Sequence, residues 1–323
     1  MENEFERIPL IPAPILKANR VHEPYDTRFR AAARLLQSLW RQEQGLPVGY
    51  HRNREGKRRK LGSRLNFAAA KTGANFIDSG AASLVRREVA YRELGAFIDE
   101  GRLYGNLLSS QPLCFNLFGP LKLDRPTAEA FFKRLFPDFV AGVEAIWFEH
   151  SPGRGSPQYT DDHSAFDVFV RIITTTGESG FIAIEVKYSE SMQEPISPLR
   201  PRYDEASDSV GVFIDHMATE LREAPLQQLW REHLLSRVML QHGLYAEGRF
   251  VVIAPAQNTQ CGNAVRAYQK HLKSEEPAES GFQVVALESC LDTLDAVGAG
   301  DIAAKLRSRY LDFGLIDRVV FGE

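Results

Sequence analysis

The sequence predicts an α/β fold: a mixed β-sheet core flanked by helices, with a mostly helical N-terminal region. Two observations predict the core. Three strand-like segments at 143–149, 165–173 and 181–188 follow one another across Gly-, Ser- and Thr-rich turns, the pattern of an antiparallel meander. A helical stretch at 226–243 then leads to a short, wholly apolar segment at 250–254, the composition of a strand buried on both faces. A helix that crosses over to a further strand makes the sheet mixed and places helices on its faces.

The remaining elements follow in chain order. Phe29, Ala33, Leu36 and Trp40 recur at helical spacing, so 26–44 reads as a helix. A basic loop at 51–64 comes next, carrying Arg52, Arg54, Lys57, Arg58, Arg59 and Lys60, with Arg64 just beyond. Val85, Val89, Leu94, Phe97 and Ile98 suggest one helix over 83–105. The block 106–120 is apolar but punctuated by Asn106, Gln111 and Asn116, and Gly119-Pro120 ends it. Thr127 is the expected cap of a helix over 127–136, with Glu129 in its first turn. The Pro-rich polar stretch 191–210 reads as a mobile loop. Leu229, Leu234, Val238 and Met239 make 226–243 a strong helix that Gly243 suits as a stop. A further strand at 282–287 and helices at 289–297 and 301–312 complete the chain. On this reading 1–119 is an N-terminal region packed on a core formed by 120–323.

Bulk properties bound the function. With 323 residues, 44% of them apolar and 25% charged, the composition is that of an ordinary globular protein. No apolar run is long enough to cross a bilayer, and the charged start is not a signal peptide, so no membrane partner is expected. Cys114, Cys261 and Cys290 are odd in number and lack zinc-type spacing, which suits reduced thiols in a cytoplasmic protein. The net charge of −3 argues against coating nucleic acid nonspecifically but allows a local basic surface. The 51–64 loop is either such a phosphate-contacting surface or a solvated loop. No aromatic interleaves Arg52–Lys60, so base stacking there is not expected. A phosphate loop of the Gly-rich Lys-Ser/Thr type, a His-Glu-x-x-His pair and a nucleophile elbow are all missing.

The chemistry points to the strands. Asp167 lies in one apolar segment and Glu185 and Lys187 in the next. Burying two carboxylates and an ammonium is costly unless they pair or bind metal. Side chains alternate along a strand, so Glu185 and Lys187 share a face, and Asp167 joins them if the register allows. Two carboxylates beside a lysine suit a divalent cation and an attacking water, as phosphodiester hydrolysis requires. The carboxylate-x-lysine pattern alone decides nothing, since Glu55-Gly-Lys57 repeats it in the basic loop. Ordinary charges on an edge strand are the plain alternative.

Asp167 and Glu185-Val-Lys187 on consecutive strands, then a helix and an apolar strand, resemble the PD-(D/E)xK nucleases of restriction-endonuclease-like fold. Stretches at 106–111, 164–167, 184–190 and 228–231 are similar to a little-characterised bacterial branch of that superfamily, and the resemblance spans roughly 60–295. It departs in one respect: no Pro-Asp dipeptide precedes the strand acid, which sits in Phe166-Asp167. The resemblance implies that Asp167 and Glu185 ligate Mg2+ or Mn2+ and that Lys187 orients or helps deprotonate the attacking water. It implies DNA as substrate, with RNA not excluded, and a role in bacterial defence. Because the fold often cleaves duplexes with two subunits, a homodimer is possible. Glu149 or Asp162 is a candidate further ligand or an ordinary loop-end cap. Gln228 and Arg231, three apart on a helix, would hold a phosphate or brace Glu185, unless they face solvent. Glu100 is a candidate helical acid, though surface charge is its plainer role, and His233 reads as a satisfied core histidine. Two rivals remain: a nucleic-acid-binding protein without cleavage, and a partner-binding subunit.

Overall fold

Backbone pairing arranges the strands in chain order. The computed structural model describes residues 8–52 and 55–322. Near the start, β1 (Val48–Arg52) and β2 (Arg58–Leu65) form an antiparallel hairpin. The main sheet runs β3 (Val140–His150), β4 (Phe166–Thr174), β5 (Ser179–Val186), β6 (Glu247–Ala254) and β7 (Phe282–Ala286). β3, β4 and β5 are antiparallel, whereas β6 and β7 add in parallel. The sheet is therefore mixed, as the meander followed by a crossover helix required, and helices cover it as a restriction-endonuclease-like core demands.

Strand alternation sorts the apolar side chains onto two faces. Val168, Val170, Ile182, Ile184, Val251 and Ile253 pack on one side with Leu113 and Leu117 of the helix Ser110–Leu123. The same core takes in Leu36 of the helix Arg28–Glu43 and Leu306 of the helix Gly300–Tyr310. On the other side Phe169, Phe181, Ala183, Phe250 and Val252 meet Leu229, Leu234 and Val238 of the helix Gln227–Gln241. The central strands β5 and β6 are buried on both faces, which explains their apolar runs without polar alternation.

Several sequence expectations are corrected. The 83–105 stretch is two helices, Ser79–Ala90 and Glu100–Gly105, each started by an aspartate cap, Asp78 and Asp99. Leu94 and Phe97, which extended the apolar spacing, lie exposed between them. The 106–120 block becomes the helix Ser110–Leu123, which continues through Pro120. Burial on nearly every side removes the amphipathic period that would have marked it. The next helix is Arg125–Leu135, and Asp124 caps it by accepting from the Thr127 backbone and hydroxyl. Half of the 191–210 loop is the helix Pro201–Val210, with proline at its first position.

The basic loop is also corrected, to the β1–β2 hairpin. Arg58, Arg59 and Lys60 form the exposed half of β2, so its strand pattern carries no apolar alternation. Only from Leu61 onward does the strand turn inward. Arg54 falls outside the described residues. The division at 119/120 cuts through the helix Ser110–Leu123, and one apolar core extends from Ile8 to Ile316 across it.

One buried cation ties the chain's beginning to its end. Arg309 donates to Gln37 Oε1 at 3.3 Å and to the Asn75 carbonyl at 2.7 Å, with Asn75 Oδ1 as a third partner. Its guanidinium lies 4.2 Å from the Trp40 ring centroid. Arg309→Leu strands these acceptors and should destabilise by about 2–4 kcal/mol in denaturant unfolding. A loss below about 1 kcal/mol would contradict that tie.

Candidate active site

Strand register lines up three carboxylates. Phe148 pairs with Val168 and His150 with Phe166, so Glu149 stands opposite Asp167. Val168 pairs with Ile184, and the next step along that register sets Asp167 opposite Glu185. Directly opposed residues share a face with backbones about 5 Å apart. Glu149, Asp167 and Glu185 therefore form one row across β3, β4 and β5. Glu149 adopts φ +51°, a left-handed conformation that is strained in a residue with a Cβ.

Beyond β5 the pairing continues: the Lys187 backbone N–H donates to the Ile253 carbonyl at 2.8 Å. That keeps Lys187 in strand phase with Glu185. Its Nζ donates to Glu185 Oε1 at 2.7 Å and to Gln228 Oε1 at 2.8 Å. Gln228 in turn donates to Glu185 Oε1 at 2.8 Å and to Glu232 Oε1 at 2.9 Å. Asp167 Oδ2 accepts from the Val186 backbone N–H at 2.9 Å. Gln111, in the first turn of the helix Ser110–Leu123, donates to Glu149 Oε1 at 3.2 Å.

The row is electrostatically loaded. Burial pushes the Asp167 carboxyl well above its usual range, and the charges of Glu185 and Glu149 push it further. Burial likewise raises Glu149 to about 7, with Glu185 adding to it against the Gln111 hydrogen bond. Burial and Glu185 raise Glu232 well above normal. Desolvation would neutralise Lys187, but Glu185, Glu232 and Glu190 outweigh it, so the ammonium is held charged. Glu232, one turn beyond Gln228, is signalled in the sequence only by its i, i+4 spacing from Gln228.

These groups line a cleft of about 410 Å³. Arg231 also borders it, but its guanidinium binds Asp162 Oδ2 at 2.7 and 3.0 Å, Ser197 Oγ at 2.8 Å and Ser164 Oγ at 2.5 Å. Asp162 is saturated by Thr160, Ser164, Tyr203 and Arg231 and does not line the cleft. The pair is a brace for the cleft wall, and Asp162 has no free oxygen for a metal. Glu100 is exposed beside Arg92 and stays outside. His233 is buried between Tyr268 Oη and the Ser280 carbonyl, and burial depresses it to about 3. The hairpin cations Arg52, Arg58, Arg59 and Lys60 are exposed at a distance in sequence from the row, with Arg58 over the Tyr50 ring at 4.7 Å and Arg59 paired with Glu23.

The donor set fits a hard divalent cation. Among the described residues no group of three or more His, Cys, Asp or Glu side chains is placed to hold a metal ion. Magnesium does not need such a group, because it keeps several waters and takes one or two carboxylates. Gln111 Oε1 and Glu232 Oε2, both on cleft-lining residues, are shielded from solvent and accept no hydrogen bond. Oxygen acceptors left short of donors, around carboxylates that repel one another, are what a hydrated cation would satisfy.

The five-stranded mixed sheet flanked by helices has the architecture of the restriction-endonuclease-like fold. A family model described as the PD-(D/E)XK nuclease superfamily matches residues 24–312, and the chain belongs to that superfamily. No curated protein and no solved structure matches it. Among the described residues no helix is long and apolar enough to cross a membrane.

The brace has a pH signature. Burial would raise Asp162, but hydrogen bonds from Ser164 and Thr160 and the Arg231 charge hold it at about 2. A depressed carboxylate contributes stability that is complete above its unfolded pKa near 4 and fades as pH falls through about 2. Asp162→Asn should cost about 2 kcal/mol at neutral pH, the deficit shrinking between pH 4 and pH 2. A constant deficit across thermal unfolding scans in that window would contradict the assignment.

Proposed function

We propose that this protein is a divalent-metal-dependent endonuclease that hydrolyses DNA phosphodiester bonds, with Asp167, Glu185 and Lys187 as its catalytic residues. The carrying observation is the row Glu149–Asp167–Glu185 with one ammonium beside it, set in an open cleft. Asp167 and Glu185 would hold Mg2+ or Mn2+, which when bound lowers the pKa of a water and draws charge from the scissile phosphate. Lys187 has three N–H donors and spends two on Glu185 and Gln228, leaving one for the attacking water or a phosphate oxygen. As a charged donor it offsets the negative charge that builds on phosphorus in the transition state. Gln228 fixes both Glu185 and Lys187, so their geometry is set before substrate arrives. Glu149 would add an acceptor for a metal-held water.

DNA as substrate and a place in bacterial defence rest on the superfamily resemblance. Three buried free cysteines suit a reducing, cytoplasmic setting. Cleavage of circular plasmid and of a labelled linear duplex should require Mg2+ or Mn2+ and stop in EDTA. Asp167→Asn and Lys187→Ala should each slow cleavage at least about 100-fold while duplex binding persists. Cleavage surviving either EDTA or both substitutions would refute the site, and wild-type binding without cleavage would refute catalysis.

A further inference from the structure

A second cleft, of about 420 Å³, opens beside the first and shares Arg102, Glu190 and Glu194 with it. The hairpin supplies His51, Arg59 and Arg64 to its wall, and the helix Arg28–Glu43 supplies Arg30 and Arg34. Most of these cations already have counter-charges. Arg34 binds Asp26 at 2.6 and 2.9 Å, Arg30 approaches the same carboxylate at 3.3 Å, and Arg59 pairs with Glu23.

Arg64 differs. It is half-buried, its Nε is shielded from solvent, and among the described residues its guanidinium has no hydrogen-bond or ion-pair partner. Asp99 acts on it favourably without contact, while Arg34 and Arg102 repel it. The same positive field, after burial, depresses neighbouring His51. A guanidinium whose Nε is shielded and finds no acceptor is costly, and its planar fork matches a tetrahedral oxyanion. Ser109, which caps the helix Ser110–Leu123, lines this cleft, and Ser110 and Gln111 of that helix line the catalytic one. The positive end of the helix thus sits at the boundary of the two. Arg102, exposed and bonded only weakly to Ser109 Oγ at 3.4 Å, stands at the same boundary. Glu190 and Glu194 lie on the shared rim, which favours the hairpin wall as the place for an anion.

We propose that this second cleft is a phosphate subsite: Arg64, with Arg102 beside it, grips a phosphate of the nucleic-acid strand whose scissile bond lies over Asp167 and Glu185. The proposal deepens the nuclease reading and rests on it for the identity of the strand. Continuity of the two clefts lets one strand occupy both, and the catalytic row needs no help from Arg64 to hold its own geometry.

The test uses the full-length protein in EDTA, with fluorescence anisotropy on duplex and single-stranded oligonucleotides, each with and without a 5′-phosphate. Arg64→Gln should weaken binding about 10-fold and lower the slope of log affinity against log salt by about 1. Loss shared by all oligonucleotides assigns an internal phosphate, and loss confined to the 5′-phosphorylated ones assigns a terminal phosphate. Both support the subsite. In thermal unfolding without nucleic acid, Arg64→Gln should raise Tm because it removes an unmatched charge. Inorganic phosphate should raise the Tm of wild type but not of the variant. Arg64→Lys, which keeps the charge without the fork, should bind at an intermediate level and serves the same comparison if the glutamine variant does not fold. Unchanged affinity and salt slope, or equal phosphate stabilisation of wild type and the folded variant, would overturn the proposal. The phosphate readout is independent of cleavage, so an inactive protein could keep the subsite and an active one could lack it.

Discussion

Three carboxylates held in one row on adjacent strands repel one another, offset by the Lys187 ammonium and, at Glu149, by Arg154 and Arg102. Glu149, Asp167 and Glu185 are the cross-strand neighbours, and Lys187 is the ammonium, bonded to Glu185. The protein leaves this imbalance in place. It raises the Asp167 and Glu149 carboxyls by burial and mutual charge, and it leaves buried acceptor oxygens on Gln111 and Glu232 without donors. Such an arrangement opposes folding stability, so the surrounding structure must hold it.

What holds it is register. Slipping β4 by one residue would send Asp167 to the opposite face, among Val168's apolar neighbours. The apolar clusters packed on the two sheet faces oppose that slip, so the apolar strands fix the acids indirectly. The helix Gln227–Gln241 acts from above the sheet: Gln228 fixes Glu185 and Lys187, and Arg231 clamps Asp162 at the cleft wall. The segment after β5 is pinned as well, with Asn258 Nδ2 donating to the Tyr188 carbonyl at 3.1 Å and Gln227 bonding both polar backbone atoms of Ser197. Sheet and helices together make a cleft with walls that do not depend on the ligand.

The sheet was legible because its signals are local. Apolar strand context and the crossover helix put Asp167 and Glu185 on consecutive core strands, with Lys187 just beyond Glu185, without knowledge of long-range contacts. The missing parts are the ones that depend on distant pairing. Glu149 was a candidate ligand in the sequence, but its place beside Asp167 comes only from the β3–β4 register, which shifts twice, between Val140 and Gly142 and between Val143 and Ala145. Gln111 arrives from a helix whose all-round burial hid its period. The β1–β2 hairpin was hidden because its exposed half is Arg58-Arg-Lys60, where solvent rather than packing sets the side-chain pattern. Asp162 looked available in sequence only because its partners Tyr203 and Arg231 lie about 40 and 70 positions away.

Divalent-ion binding to the protein alone tests the unbalanced row most directly. Calorimetric titration of wild type and Asp167→Asn with Mn2+, without nucleic acid, should show saturable binding to the wild type and a loss of at least about 10-fold in affinity in the variant. Absence of binding to wild type, or equal affinity in the two proteins, would contradict the reading of these carboxylates as a cation site.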